Sequence, residues 1–161
     1  GNKWKVAWQK GNRDIVIPAE QIETKHTVYI FQCESSTIQV KAKVNAIIVD
    51  SCKKVAVVFE NAIASVEIVN VNGAEIQCSG RVPSWAVDKS STVSIYLTNE
   101  AGLDTEIITS KSDSTNVLVP GKKEGDDLLE FPVPEQYRTV VKVNKEDNGK
   151  SIVTNTVEHA G

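Results

Sequence analysis

The residues that could carry chemistry are few and scattered. The sequence offers three cysteines (Cys33, Cys52, Cys78) and two histidines (His26, His159). The cysteines are far apart, odd in number and form no CxxC pair, so they read as buried small hydrophobes in a reducing compartment. A zinc centre would need a fourth ligand that only the two histidines could supply, and no metal site is expected. No GxSxG nucleophile elbow is present, and the cysteines have no evident histidine partner. GxGxxG and GxxxxGK[ST] are both missing, so no nucleotide cofactor is expected. Asp50 and Asp88 each stand alone in their stretch, whereas glycoside chemistry requires two carboxylates about 5–10 Å apart. The chain is therefore expected to have no catalytic residues and no cofactor.

What remains for function is a display of charge. Lys41 and Lys43 leave one β-rich stretch, Asp50, Lys53 and Lys54 flank a corner, and Glu60 and Glu67 follow. Each could be a solvated side chain, or together they could form a protein-binding surface. The tail from Thr156 to Gly161 has the same two readings: most tails are merely disordered, but this one follows a segment that would hold it in place. With 18 basic and 21 acidic residues the chain carries a net charge of −3. That balance argues against a dedicated nucleic-acid binder. No apolar run reaches the roughly 20 residues that span a bilayer, and no signal peptide is evident, so no membrane insertion is expected. Starting on Gly1, the sequence reads as a piece of a longer protein.

The elements that position these residues are β-strands. The 161 residues include 23 Val and 14 Ile against 5 Leu and no Met. Side chains branched at Cβ fit a pleated surface, and a helical bundle would favour Leu and Met. Short apolar stretches begin at Val28, Thr37, Ala46, Val55, Ser65, Ala74, Ser84 and Val93, with two more at Thr105 and Asn116. Polar corners such as Ser51-Cys52-Lys53 and Asn70-Val71-Asn72-Gly73 separate them. Strands every nine or ten residues fit an antiparallel sandwich, or a solenoid whose coils take about 18–20 residues. The even spacing and the shortness of the stretches, four residues each, favour the solenoid. Ile38, Val40, Val66 and Ile68 would then point inward, and Gln39, Lys41 and Glu67 outward.

A solenoid must protect its two ends. Residues 1–27 are expected to cap the first coil, with Trp4 and Trp8 as a lid. Coils are expected over 28–119, and a Pro-rich hinge over 120–136 contains Phe131-Pro132-Val133-Pro134. Thr139–Val143 and Ser151–Thr154 flank a polar turn at residues 144–149, a hairpin signature within 137–157, ahead of a tail at 158–161. A hairpin after a rigid hinge is suited to exchange between two subunits.

Several stretches together resemble a known family. These are Val44-Asn45-Ala46-Ile47, Asp50-Ser51-Cys52-Lys53-Lys54, Val57-Val58-Phe59-Glu60, Val66-Glu67-Ile68-Val69-Asn70, Phe131-Pro132-Val133-Pro134-Glu135-Gln136-Tyr137 and Val157-Glu158-His159-Ala160-Gly161. In this order they closely resemble the C-terminal domain of cyclase-associated protein, over nearly the whole chain. The resemblance implies an all-β, right-handed parallel β-helix that forms a homodimer by exchanging its C-terminal hairpin. It further implies binding of monomeric actin, preferentially in the ADP form, and promotion of ADP-to-ATP exchange on actin. The domain would thereby recycle monomers released from filaments by cofilin, in the cytoplasm and at the actin cytoskeleton. Adenylyl cyclase and cofilin would be partners of other parts of the parent protein.

Carried over by the same resemblance, the actin-contacting residues are Lys41, Lys43, Asp50, Lys53, Lys54, Glu60, Glu67 and Asn70 on the β-helix, with Glu158, His159, Ala160 and Gly161 in the tail. The dimerising residues are Phe131, Pro132, Val133, Pro134, Tyr137, Val140, Val141, Val143, Ile152 and Val153. Two other classes stay open: a dimerisation module without actin activity of its own, and a β-helix enzyme acting on nucleotides or sugars.

Overall fold

A computed structural model describes residues 1–146 and 148–157. The tail candidates Glu158, His159, Ala160 and Gly161 lie outside the described residues. The chain winds as a parallel β-solenoid in which each coil gives one strand to each of two sheets. The first sheet runs β1 (Lys3–Ala7), β3 (Thr27–Phe31), β5 (Val44–Asp50), β7 (Ala62–Val69), β9 (Ser84–Asp88), β11 (Glu106–Ser110). The second stacks β2 (Ile15–Ile17), β4 (Thr37–Val40), β6 (Lys53–Phe59), β8 (Asn72–Cys78), β10 (Ser91–Leu97) and β12 (Asp113–Val119), and β13 (Leu129–Pro132) closes it antiparallel to β12. The hairpin β14 (Tyr137–Val143) and β15 (Lys150–Thr156) forms a separate two-stranded sheet. No helix among the described residues is long and apolar enough to cross a membrane.

The alternation expected from sequence places the core. Val28, Ile47, Val66 and Trp85 stack from coil to coil inside the first sheet, and Ile38, Val57, Ile76 and Ile95 inside the second, all fully buried. A slip of one residue between parallel strands would turn this set outward, so burial fixes the register. The backs of the sheets carry the intervening residues, Glu67 among them.

Three expectations are corrected. Residues 1–17 are not a separate cap: β1 pairs in parallel with β3 and β2 with β4, which makes them the first coil. Trp4, in register with Val28 on the terminal strand, packs against the core at that end, whereas Trp8 is 68% exposed and does not lid it. Lys3 and Lys5 alternate with Trp4 and Val6, the arrangement of an edge strand protected by lysines. Second, most strands are five to eight residues long rather than four, because they begin on polar residues such as Lys53, Asn72, Ser91 and Asp113 that read as corner residues. Third, the stretch expected to be hinge contains β13, so Phe131 and Pro132 belong to a strand of the solenoid and the link from β13 to the hairpin shortens to residues 133–136.

The corners explain the even spacing. Each turn from the first sheet into the second places two residues, three positions apart, in the left-handed region. The first of these positions is held by Trp8, Gln32, Ser51, Asn70, Lys89 and Lys111, and the second by Gly11, Ser35, Lys54, Gly73, Thr92 and Ser114. Most are not glycine, and each pays a conformational cost that the stacked hydrogen bonds must offset. The amides of Gln32, Ser51, Asn70 and Lys89 donate to the carbonyls of Asp50, Val69, Asp88 and Ser110 in the next coil at 3.0–3.2 Å. Asn72-Gly73, a dipeptide that elsewhere closes antiparallel hairpins, serves here as one of these parallel corners.

Candidate functional site

The described candidate residues divide between two edges and one face. Lys53 and Asn70 sit at the left-handed corner and line a groove of about 850 Å³ together with Trp8, Lys10, Lys89 and Lys111. Asp50 ends β5 beside that corner, and its carboxylate is already engaged. It accepts hydrogen bonds from Tyr29 Oη at 2.7 Å and from Ser51 Oγ at 2.9 Å, and the bond to Asp50 holds the Tyr29 phenol above its usual pKa. Lys54 turns to the other side of the corner, where it lines a depression over the second sheet with Arg13 and Glu75.

Lys41, Lys43 and Glu60 lie at the opposite edge, in the turns from the second sheet back to the first, around a shallow depression with Asn61. Glu67 stands exposed on the back of the first sheet, between Ile48 and Ala86 in neighbouring strands. The structure therefore brings Asp50, Lys53 and Asn70 to one edge and Lys41, Lys43 and Glu60 to the other. Strands run between the two edges, which is why residues close in sequence separate.

Sequence reasoning missed an aromatic cluster next to the corner groove. Trp8 meets Phe31 edge-on at 5.5 Å, and Phe31 stacks on Tyr29 at 5.8 Å. Lys3 Nζ lies 4.7 Å over the Tyr29 ring and Lys5 Nζ 5.7 Å over that of Phe31. Once Lys3–Ala7 is recognised as a strand in parallel register with Thr27–Phe31, these contacts follow from alternation.

The floor of the corner holds Cys33 and Cys52, stacked one coil apart, with the Cys33 amide donating to Cys52 Sγ at 3.4 Å. Both thiols are buried and free, and burial pushes the Cys52 thiol up to about 11. At pH 8 only about one Cys52 in a thousand is thiolate, against roughly a tenth to a quarter of an unperturbed thiol, so labelling by a disulfide reagent should be about a hundredfold slower than in guanidinium. Rapid stoichiometric labelling of the native protein would contradict this. The raised value also has a stability consequence. As pH climbs from about 9 towards 11 the unfolded chain releases the thiol proton first, and stability falls across that window.

The dimerising candidates occupy the other end. Tyr137, Val141, Val143 and Ile152 share one hairpin face, with Val141 opposite Ile152, while Val140 and Val153 pair on the other. All are exposed, Val143 at 89%, Val141 at 74% and Ile152 at 67%. Val133 donates to the Thr115 carbonyl at 2.8 Å, and Glu135 accepts from the Ser114 amide, the last corner of the ladder. Pro132 and Pro134 restrict the backbone on either side of Val133. Thus the arm leaves the solenoid from an anchored point, and Val157 closes its base by donating to Gln136 at 3.0 Å.

What the described residues present at these edges is lysines, amides and aromatic rings. The sequence profile described as "Adenylate cyclase associated (CAP) C terminal" matches residues 1–159. Among similar proteins, the adenylyl cyclase-associated protein of Dictyostelium discoideum is 56% identical over 145 residues, covering 90% of this chain and 31% of that protein. Human adenylyl cyclase-associated protein 1 is 40% identical over 161 residues, 100% of this chain and 32% of that protein. The crystal structure of cyclase-associated protein from Cryptosporidium parvum superposes with a TM-score of 0.85 at 32% identity, covering 97% of this chain and 91% of that one. The chain spans about a third of the length of these curated relatives. Two-sheet solenoid, C-terminal hairpin and whole-length sequence similarity agree, and the chain belongs to the family of adenylate cyclase-associated protein C-terminal domains.

Proposed function

We propose that this domain binds monomeric actin, preferentially in the ADP form, as a hairpin-exchanged dimer, and promotes replacement of ADP by ATP on actin. The observation that carries this reading is the family match over residues 1–159. The bare hairpin supports its dimeric form. An isolated two-stranded hairpin is marginal in water, and this one exposes apolar residues on both faces. The last coil offers a matching surface: among the described residues β11 ends the first sheet as an open edge, and Leu129 and Phe131 on β13, the end strand of the second sheet, are about half exposed. Each arm lies across the partner's last coil and covers that edge.

Actin contacts come from the solenoid candidates and from Glu158–Gly161. Lys53, Lys54 and Asn70 form the primary edge, Lys41, Lys43 and Glu60 a secondary one, and Glu67 flanks them on the back of the first sheet. Because Asp50 is held by Tyr29 and Ser51, it orders the corner rather than reaching a partner. The tail stabilises a more open nucleotide cleft in actin. By linkage a domain that favours that state weakens nucleotide binding by the same coupling, typically about 1–3 kcal/mol. The domain itself performs no bond chemistry, and the resulting monomers re-enter filament assembly in the cytoplasm. Contacts with adenylyl cyclase or cofilin fall to other regions of the parent protein.

Lys53→Glu with Lys54→Glu is expected to weaken binding to ADP-actin about tenfold or more in a sedimentation or anisotropy titration, with the fold intact. Deleting Glu158–Gly161 is expected to slow nucleotide exchange more than it weakens dimerisation. Normal exchange by the deletion variant would remove the tail from the mechanism. An alternative reading, a dimerisation module with no actin activity, rests on the same hairpin and predicts that neither change has an actin phenotype.

A further inference from the structure

We infer that the left-handed corner is a docking groove for an extended acidic segment of a partner protein. The groove shares Lys53 and Asn70 with the actin reading but does not depend on actin being the partner. Its first feature is charge. Lys10, Lys53, Lys89 and Lys111 line it, against the two carboxylates Glu34 and Asp113. Glu34 lies in backbone register between Lys10 and Lys53, and Asp113 accepts a hydrogen bond from Ser91 Oγ at 2.5 Å, so the four lysines outnumber the carboxylates two to one. Lys89 and Lys111 stack on adjacent coils, and among the described residues no carboxylate pairs with either. A cationic groove on a chain of net charge −3 is a local exception, and it selects an anionic partner.

The second feature is rigidity and length. The corner amides of Gln32, Ser51, Asn70 and Lys89 each donate to the following coil, so the groove backbone is fixed before a partner arrives. Corner residues from Trp8 to Lys111 repeat at the strand spacing of about 4.8 Å, giving a groove of ~24 Å, the reach of roughly seven extended residues. Side chains one coil apart therefore meet the acidic groups of an extended chain one after another. Amides at Gln32, Asn70 and Asn72 between the lysines suit a peptide, with its own backbone polar groups, better than a bare polyphosphate.

The third feature is Trp8. It is the bulky aromatic of the left-handed series, it is 68% exposed, and it packs edge-on against Phe31 at the mouth of the groove. Elsewhere in the series the same position holds Gln, Ser, Asn or Lys. An indole held in that conformation, at the end of a cationic groove, is placed to cover an apolar residue at one end of the acidic segment.

The test is a titration of the domain into a fluorescein-labelled peptide of about eight glutamates, long enough to fill the groove. Anisotropy should report saturable, salt-sensitive binding, and the emission of exposed Trp8 should shift as the peptide seats. Lys89→Glu with Lys111→Glu should weaken binding about tenfold or more, while Lys122→Glu with Lys123→Glu, an equal charge change in an exposed loop, should alter it less than about twofold. No saturable binding, or equal losses in the two variants, overturns the inference. So does preferential binding of an oligothymidylate of similar length. The two functional readings stay distinguishable: peptide binding without actin binding leaves the groove standing alone, and actin binding without peptide binding removes the groove.

Discussion

A domain carrying Val141→Asp and Ile152→Asp is expected to run as a 17.6 kDa monomer, and the parent domain at twice that mass as the proposed dimer requires, by size-exclusion chromatography with light scattering. The two residues face each other across the hairpin, on the face that also carries Val143 and Tyr137. That face is exposed in the single chain, and burying such side chains contributes about 1.5–3 kcal/mol each. Two aspartates opposite each other repel in the free hairpin, and each would be an unpaired charge in a covered one. An uncompensated buried charge costs about 3–5 kcal/mol, which weakens dimerisation a hundredfold or more. The arm forms its own two-stranded sheet, so the solenoid's circular dichroism should be unchanged. A variant that stays dimeric would show that the hairpin is not the dimer contact.

Trp85→Ala should lower unfolding free energy by about 3–5 kcal/mol, a large part of the ~5–15 kcal/mol available to a domain. Trp85 is the largest fully buried side chain, stacked in register between Val66 and Ile107, with Phe59 from the other sheet at 6.1 Å. Its loss leaves a cavity that neighbouring coils cannot close, because each strand is pinned by two ladders of parallel hydrogen bonds. The indole Nε1 finds no hydrogen-bond partner among the described residues. Trp85→Phe removes that orphaned donor along with some volume, so it should cost clearly less than the alanine variant. Urea unfolding of both variants decides this, and an alanine loss below about 1 kcal/mol would mean the solenoid repacks freely around position 85.

The solenoid was legible because its signal is periodic. Val66 and Ile68 alternate with Glu67 as a half-buried strand demands, and even corner spacing separates a coil from a variable sandwich loop. The first coil was hidden because Lys3 and Lys5 guard an edge, and lysine-rich alternation reads as solvated chain rather than strand. Strand lengths were underestimated for a related reason: Lys53, Asn72 and Ser91 begin strands while their side chains stay at the surface. The hairpin was visible in its turn residues, although nothing in the sequence said that β13 would precede it. Least legible was the grouping of charges. Asp50 and Lys53 stay together across a tight corner, whereas Lys43 is carried a strand's length from Asp50. Only the winding of the chain reveals that Lys89 and Lys111 share a groove with Lys53 and Trp8.

The most direct test of the proposed function is the rate at which actin monomers loaded with a fluorescent ADP release it into excess ATP, measured against concentration of the domain. The account predicts a rate that rises with the domain and saturates as actin is bound. A release rate that the domain leaves unchanged, at concentrations where the two proteins co-migrate, would contradict it.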